Sequence, residues 1–388
     1  MSKKLVTAVA TTACLMLSTV ACSASSSSTS SPGPSASGTP GSNSSATAPA
    51  AAAGGFDSNV LSTAPSNGNS ADWVSWDKGS CSFVPATDHP ATWSAATRKS
   101  TQTFLVGFGA QDTTNEVNIT MNKSMTSFAQ TAGVDLAFAD YKFPSTSEPV
   151  SAARSIVVRN PSVVVSNNQV DALLSSVNNI YAKACMPVVQ VVTASKGTVL
   201  FGPGNGAMGD LEGKRLVEFA KSKNWTANDT TLITTYYPTG GPEVALRASN
   251  CAAAVTAAFP GVASVSHDTA STTALELQNN FTDVLTAHPD AKHILVCTVA
   301  DLWALADANA LKLAGRQMDA AVTGVNGGSA VLDAIKAGNT ALVGSVDLGA
   351  DKWGQYWIPL AEDIASGKPV PAQVYAPIAM LPAQIPTR

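Results

Sequence analysis

Two consecutive series of short apolar segments constrain the fold of this 388-residue chain more than any other feature. Segments with helical periodicity alternate with most of these apolar segments. The predicted strands are residues 104–108, 134–139, 163–165 and 187–192, and then 231–236, 262–265, 294–297, 321–325 and 340–346. Strands that are continuously apolar and alternate with helices are typical of parallel sheets covered on both faces. We therefore predict an α/β fold with two doubly wound parallel-sheet lobes.

The first predicted helix has recognisable signals at both ends. Thr113 and Glu116 have the spacing of a capping box, and Gly133 is a suitable C-terminal stop. In doubly wound sheets, ligands bind beyond the carboxyl ends of the strands. The residues directly after each predicted strand are therefore the first candidates for a site.

The N-terminus has the features of an export signal. Lys3 and Lys4 precede an apolar stretch at residues 5–17, which is shorter than the roughly 20 residues of a membrane-spanning helix. The following Ala21-Cys22 resembles a bacterial lipobox, with residues 1–21 as a lipoprotein signal peptide and Cys22 as the lipidated residue. The alternative is that Cys22 is an ordinary residue near a conventional cleavage site. Residues 22–72, rich in Ser, Ala and Pro, are predicted to form a disordered tether that places the protein outside the cytoplasm, on the cell membrane.

Composition excludes several classes of function. The chain is 45% hydrophobic, so it is not wholly disordered, and 23 basic against 27 acidic residues leave a net charge of −4 with no basic cluster for nucleic acid. No Cys/His spacing suggests a metal site, and we expect no cofactor. Once Cys14 and Cys22 are set aside, four cysteines remain in the exported part. Such cysteines are sufficient for two disulfides.

A glycine-rich segment at residues 204–209 matches the G-x-G-x-x-G pattern of dinucleotide-binding loops. That pattern belongs after the first strand of a nucleotide-binding unit, whereas here it follows the fourth predicted strand. We interpret it as a glycine-rich connection between the two halves. No motif of a nucleophilic or metal-dependent enzyme is present, although paired carboxylates leave no motif.

Several segments together resemble the type I periplasmic binding proteins of the sugar class, the family of the ribose-binding protein. They are Met186-Pro187-Val188-Val189, Asp301-Leu302-Trp303-Ala304-Leu305 and Gly324-Val325-Asn326-Gly327. The resemblance implies two lobes joined by a three-strand hinge near residues 202–205, 346–349 and 367–371. The N-terminal lobe would contain residues 73–203 and 348–370, and the C-terminal lobe residues 204–347 and 371–388.

The resemblance also implies a set of ligand-binding residues in the cleft between the lobes. They are Gln111, Asp112, Thr193, Arg247, Asp301, Asn326 and Asp347. Two polar contacts usual in the family are replaced here, by Val192 and Ala300, which indicates a ligand with fewer hydroxyl groups or a different shape. Four aromatic residues either stack on a sugar ring or, as we favour, pack within the lobes: Trp303, Trp353, Tyr356 and Trp357. A disulfide between the lobes would block hinge motion, so the expected pairs are Cys81 with Cys185 and Cys251 with Cys297.

By this resemblance the chain is the solute-binding receptor of an ABC importer, with no enzymatic activity. It would be a monomer that binds a small sugar-like ligand by hinge closure and presents it to a membrane permease. Two alternatives remain: an exported enzyme on the same scaffold, and a sensor for a membrane signalling protein.

Overall fold

The computed structural model describes residues 68–95, 103–111, 115–142 and 145–387, which fall within the second of the two units into which the chain divides, Ala51–Arg388. The strands, in chain order, are β1 Gly68–Asn69, β2 Trp73–Asp77, β3 Ser82–Pro85, β4 Leu105–Gln111, β5 Asp135–Tyr141, β6 Val163–Ser166, β7 Val188–Val191, β8 Val199–Gly202, β9 Thr230–Tyr236, β10 Ala263–Asp268, β11 His293–Cys297, β12 Ala320–Asn326, β13 Leu342–Asp347, β14 Val370–Pro371, β15 Gln373–Tyr375 and β16 Ala379–Leu381. The helices are α1 Glu116–Ala132, α2 Glu148–Val158, α3 Asp171–Lys183, α4 Asn205–Ser222, α5 Gly241–Ala258, α6 Ala274–Ala287, α7 Asp301–Leu313, α8 Ser329–Ala337 and α9 Gly354–Ala365.

Two large sheets form the two lobes. The first has the order β1-β15-β8-β7-β6-β4-β5 and is parallel except for the edge strand β1. The second has the order β10-β9-β11-β12-β13-β16 and is parallel except for β16. Every residue of β6 and β7 is buried, as expected for strands covered by helices on both faces. The predicted fold class, with two doubly wound parallel sheets, is confirmed.

The chain passes between the lobes three times. The first passage lies between β8 and α4 and the second between β13 and α9, because α9 packs on α1 of the first lobe. The third passage was expected at residues 367–371, and this expectation is wrong. Strand β15 pairs in parallel with β8, so the chain remains in the first lobe until Tyr375 and reaches the second sheet at Ala379.

The first lobe also begins earlier than expected. Gly68 and Asn69 pair with Tyr375 and Val374, so β1 extends the first sheet before residue 73. A small antiparallel sheet, β14-β2-β3, lies beside it. Cys22, residues 1–67 and Asp112 lie outside the described residues.

Aromatic side chains fill the core of the first lobe where the chain enters α9 after its second crossing. Phe201 contacts Trp353 and Trp357 at ring-centroid distances of 5.4 and 5.6 Å, and both indoles are fully buried. These tryptophans therefore pack within the lobe, as favoured from the sequence, and they join α9 to the first sheet.

Each lobe contains one disulfide. Cys81 is joined to Cys185, with a Cα–Cα distance of 4.9 Å, and Cys251 is joined to Cys297 at 5.9 Å. The first ties the β2–β3 hairpin to the end of α3, and the second ties α5 to β11. Neither bond crosses between lobes. Within the described ranges, every helix is too short or too polar to span a bilayer.

Candidate functional site

A cavity of about 120 Å³ lies between the lobes, beyond the carboxyl ends of the strands. The first lobe contributes the end of β4 and the first turns of α1, and the second lobe contributes α5 and the segment after β11. Its polar lining residues are Gln111, Asn115, Asn118, Gln169, Arg247 and Asn326. This space, called the first cavity below, is where doubly wound sheets place their ligands.

Arg247 is the one basic residue that lines the first cavity, among the residues that the structure describes. The side chain is 6% exposed. Its Nε donates to Asn205 Oδ1 at 2.8 Å and its Nη1 donates to the Val299 carbonyl at 2.9 Å. Within the described residues Nη2 has no protein acceptor, so the guanidinium is held in place by two bonds and keeps donors for a ligand.

Burial lowers the pKa of the Arg247 guanidinium to about 10, and the nearby Glu212 opposes this shift. The arginine therefore remains protonated at neutral pH. Burial also raises the pKa of the Glu212 carboxyl well above its usual range, against the lowering effect of Arg247. Each of the two groups thus favours the charged form of the other, against the effect of burial in the second lobe.

The glycine-rich segment positions this arginine. Gly209 packs directly against α5, where an added Cβ would lie 2.2 Å from the Arg247 carbonyl oxygen. Four residues later, a Cβ on Gly213 would lie 2.6 Å from the Cys251 carbonyl oxygen. Gly209, at the end of the glycine-rich segment, and Gly213, beyond it, thus let α4 and α5 approach closely. Asn205, at the start of α4, also donates to the Val192 carbonyl at 3.2 Å.

Val192 lines the first cavity in an unusual backbone conformation. Its φ is 67°, and the Thr193 amide donates to the Val191 carbonyl at 2.8 Å, which defines a tight γ-turn. A β-branched residue in this region carries backbone strain, and such strain concentrates at functional sites. The turn buries Thr193 behind Val192, so the predicted Thr193 does not line the cavity. Its Oγ1 has no hydrogen-bond partner among the described residues.

Gln111 and Asn118 face the cavity from the first lobe. Gln111 ends β4 and is 6% exposed, and its Oε1 has no partner among the described residues. Asn118 is equally buried, in the first turn of α1. The expected capping box is wrong. Asn115 caps the helix, its side chain accepting from the Val117 amide at 3.0 Å.

A second cavity of about 400 Å³ adjoins the first, and Asn115, Val117, Ala300, Trp303 and Asn326 line both. The predicted residues Asp301 and Asp347 lie at this second cavity. The structure therefore divides the predicted set, with Gln111 and Arg247 at the first cavity, Asp301 and Asp347 at the second, and Asn326 between them.

Asp301 is already occupied by protein contacts. One carboxylate oxygen accepts from Ser345 Oγ at 2.6 Å and the other from the Gly328 amide at 2.7 Å. Burial raises the pKa of Asp301 to about 7, although both of these bonds lower it. Asp301 therefore orients the loop after Asn326. The Asp347 Oδ1 similarly accepts from the Gly349 amide at 2.9 Å, at the second passage between lobes.

Two carboxylates join the lobes across the cleft. Glu116, at the start of α1, accepts from both the amide and the hydroxyl of Ser329, at 3.2 and 3.1 Å. Glu243 of α5 accepts from the Ala194 amide at 2.7 Å. Burial raises the pKa of Glu243 to about 7. These contacts hold the lobes together in a closed arrangement around the cavities.

Sequence reasoning missed some lining residues, among them Asn118, Gln169 and Tyr237. Tyr237 directly follows the predicted strand 231–236 and Gln169 follows β6, so the position after a strand is a signal that identifies them. Asn118 does not follow a strand. It lies in the first turn of α1, and the N-cap of this helix was predicted at the wrong residue. No group of three or more potential metal ligands occurs in the part of the chain that the structure describes.

Comparisons with known proteins agree with this fold. Residues 106–369 match the family described as "Periplasmic binding protein domain". A solute-binding protein of an ABC transporter from Mycobacterium smegmatis, solved with bound glycerol, has 24% identity and a TM-score of 0.62, covering 73% of this chain and 95% of its own. Among curated proteins, none matches the chain.

Two further solved structures have the same fold. GanP, a glucose-galactose binding protein from Geobacillus stearothermophilus, has 17% identity and a TM-score of 0.62, covering 72% of this chain and 97% of its own. An ABC transporter periplasmic solute-binding protein from Actinobacillus succinogenes, solved with D-allose, has 18% identity and a TM-score of 0.61. The match covers 73% of this chain and 98% of that protein.

Proposed function

The chain belongs to the periplasmic binding protein family, and from this premise we propose that it is an extracytoplasmic receptor for a sugar or polyol. The observation that supports this most directly is Arg247 in the first cavity. It is a buried, fixed guanidinium with an unused Nη2, among neutral amide side chains that both donate and accept. Such a set suits neutral hydroxyl groups.

Closure of the lobes supplies the binding mechanism. The first lobe contributes Gln111 and Asn118 and the second lobe contributes Arg247, so a ligand contacts all three only when the cleft is closed. The carboxylate contacts of Glu116 and Glu243 across the cleft favour the same state. A ligand that binds the closed state better than the open state shifts the population toward closure.

The receptor, in our proposal, delivers its solute to an ABC permease and acts as a monomer attached to the membrane through a lipid on Cys22. The similar solved structures named above are themselves described as solute-binding or sugar-binding proteins, which supports transport over catalysis or sensing. A gene neighbourhood with permease and ATPase genes distinguishes transport from the enzyme and sensor alternatives.

A thermal-shift panel tests the binding function. The purified protein is heated with D-allose, D-glucose, D-galactose, D-ribose, myo-inositol or glycerol. A ligand present at 100 times its Kd stabilises the folded state by about 2.7 kcal/mol. With an unfolding entropy of about 2.1 cal/mol/K per residue, a protein of this size gains about 3 °C in Tm. If a broad set of sugars and polyols leaves Tm unchanged and calorimetry detects no heat, the proposal is wrong.

A further inference from the structure

The second cavity is larger than the first and has mixed walls. Its volume is about 400 Å³ against about 120 Å³ for the first. Val117, Leu302, Leu305 and Val331 provide apolar surface. A small polar solute that fills the first cavity does not explain a larger and partly apolar space beside it.

The described charged residues of the second cavity all have the same sign. Among the residues that the structure describes, its lining includes Glu116, Asp301, Asp347 and Asp351, and no Lys or Arg. None of these acids forms an ion pair with a described residue. Three of them accept hydrogen bonds from neutral groups, and Asp301, with its pKa raised to about 7, contributes less charge than the others. The electrostatic potential in this space therefore favours a cation and opposes an anion.

Trp303 stands between the two cavities and has an unused donor. The side chain is 7% exposed, lines both spaces and packs against Tyr237 at a ring-centroid distance of 5.1 Å. Its Nε1–H has no acceptor among the described residues. A buried indole N–H usually has a partner, so a ligand oxygen at this junction would satisfy it.

We infer that the solute of this receptor is a sugar or polyol with a cationic, amine-bearing extension, its hydroxylated part in the first cavity and its extension in the second. The inference rests on the proposed function and specifies its ligand class. Trp303 and Asn326 line both cavities, so they lie where the hydroxylated part of the ligand would join the extension. The Trp303 N–H can donate a hydrogen bond to an oxygen that links the two parts of the ligand.

Matched glycosides test this inference by calorimetry. For each of D-allose, D-glucose and D-galactose, the probes are the free sugar, its 2-aminoethyl glycosides and its 2-carboxyethyl glycosides, in both anomeric forms. We expect at least one aminoethyl glycoside to bind no more weakly than its parent sugar. It should bind about tenfold more tightly than the carboxyethyl glycoside of the same sugar and anomer, and this difference should decrease with added salt.

Two variants connect the preference to the second cavity. Asp351→Asn removes a charge from an exposed side chain and should reduce the ratio between amine and carboxylate affinities. Ala330→Phe places a large side chain at the edge of the second cavity, where Ala330 lies exposed at the start of α8. It should weaken binding of the aminoethyl glycoside at least tenfold more than binding of the free sugar.

The outcomes separate this inference from the proposed function. If free sugars bind but every glycoside is rejected, or if amine and carboxylate glycosides bind equally, the second cavity is only a route for solvent or ligand, and the inference is wrong while the receptor function stands. If neither the glycosides nor any sugar or polyol of the thermal-shift panel binds, the proposed function fails and the inference fails with it.

Discussion

Replacement of Arg247 separates the binding role of this side chain from its structural role. Arg247→Ala removes the guanidinium donors from the first cavity and the two bonds to Asn205 and Val299. Hydrogen bonds to charged groups contribute about 1.5–3 kcal/mol each, and removal of a buried charged partner costs binding about 2–4 kcal/mol, a factor of about thirty to a thousand in Kd. Arg247→Lys keeps the charge but loses the planar arrangement of donors, so we expect an affinity loss of at least about tenfold.

Arg215 is the matched control. It is also a buried arginine, 3% exposed, whose guanidinium donates to the carbonyls of Val343 at 2.9 Å and Pro382 at 2.7 Å. It lines neither cavity. Arg215→Lys should lower the free energy of unfolding by about 1–3 kcal/mol, because buried carbonyls lose their donors, and leave the Kd within about twofold.

Isothermal titration calorimetry with the tightest-binding sugar of the panel measures the Kd of each variant, and chemical denaturation measures its stability. A folded Arg247→Ala protein with near-wild-type affinity would refute the assignment of this residue to the ligand. An equal loss of affinity in Arg215→Lys would show that both effects arise from general destabilisation of the second lobe.

Three further predictions concern the anchor, a disulfide and pH. Cys22→Ala should release the protein into the medium or leave it unprocessed in cell fractionation, and full membrane retention of the processed variant contradicts a lipid anchor. Replacing Cys251 and Cys297 together by serine should lower the free energy of unfolding by about 4 kcal/mol in the chain-entropy model, measured by denaturation, and an unchanged stability contradicts it. Burial raises the pKa of Glu243 from 4.5 to about 7, so the folded state favours its protonated form, and the stability due to this group is complete below about pH 4.5 and decreases as the pH rises through about 7. Glu243→Gln should therefore make stability fall less steeply between pH 5 and pH 8, and a steeper decrease in the variant contradicts the reasoning.

The two-lobed α/β architecture was predictable because its signals are local. Continuous apolar strands such as Val163–Ser166 and Val188–Val191 are buried on both faces, and the alternation with helices requires parallel sheets. This topology places ligands beyond the strand ends, and the predicted site residues Gln111 and Asn326 line the first cavity there. The third passage between lobes was misplaced, since the pairing of β15 with β8 joins segments far apart in the chain.

The composition of the site was decided by tertiary packing. Arg247 reaches the first cavity because Gly209 and Gly213 let two helices approach closely, a contact that no local pattern specifies. A γ-turn at Val192 removes the neighbouring Thr193 from the cavity, and protein hydrogen bonds occupy Asp301. The sequence by itself therefore determined the alternation of strands and helices and the sheet edge at which the cavities lie, because burial and periodicity act over a few residues. Only the tertiary structure decided which polar side chains remain unpaired there, because each hydrogen-bond partner comes from a distant part of the chain.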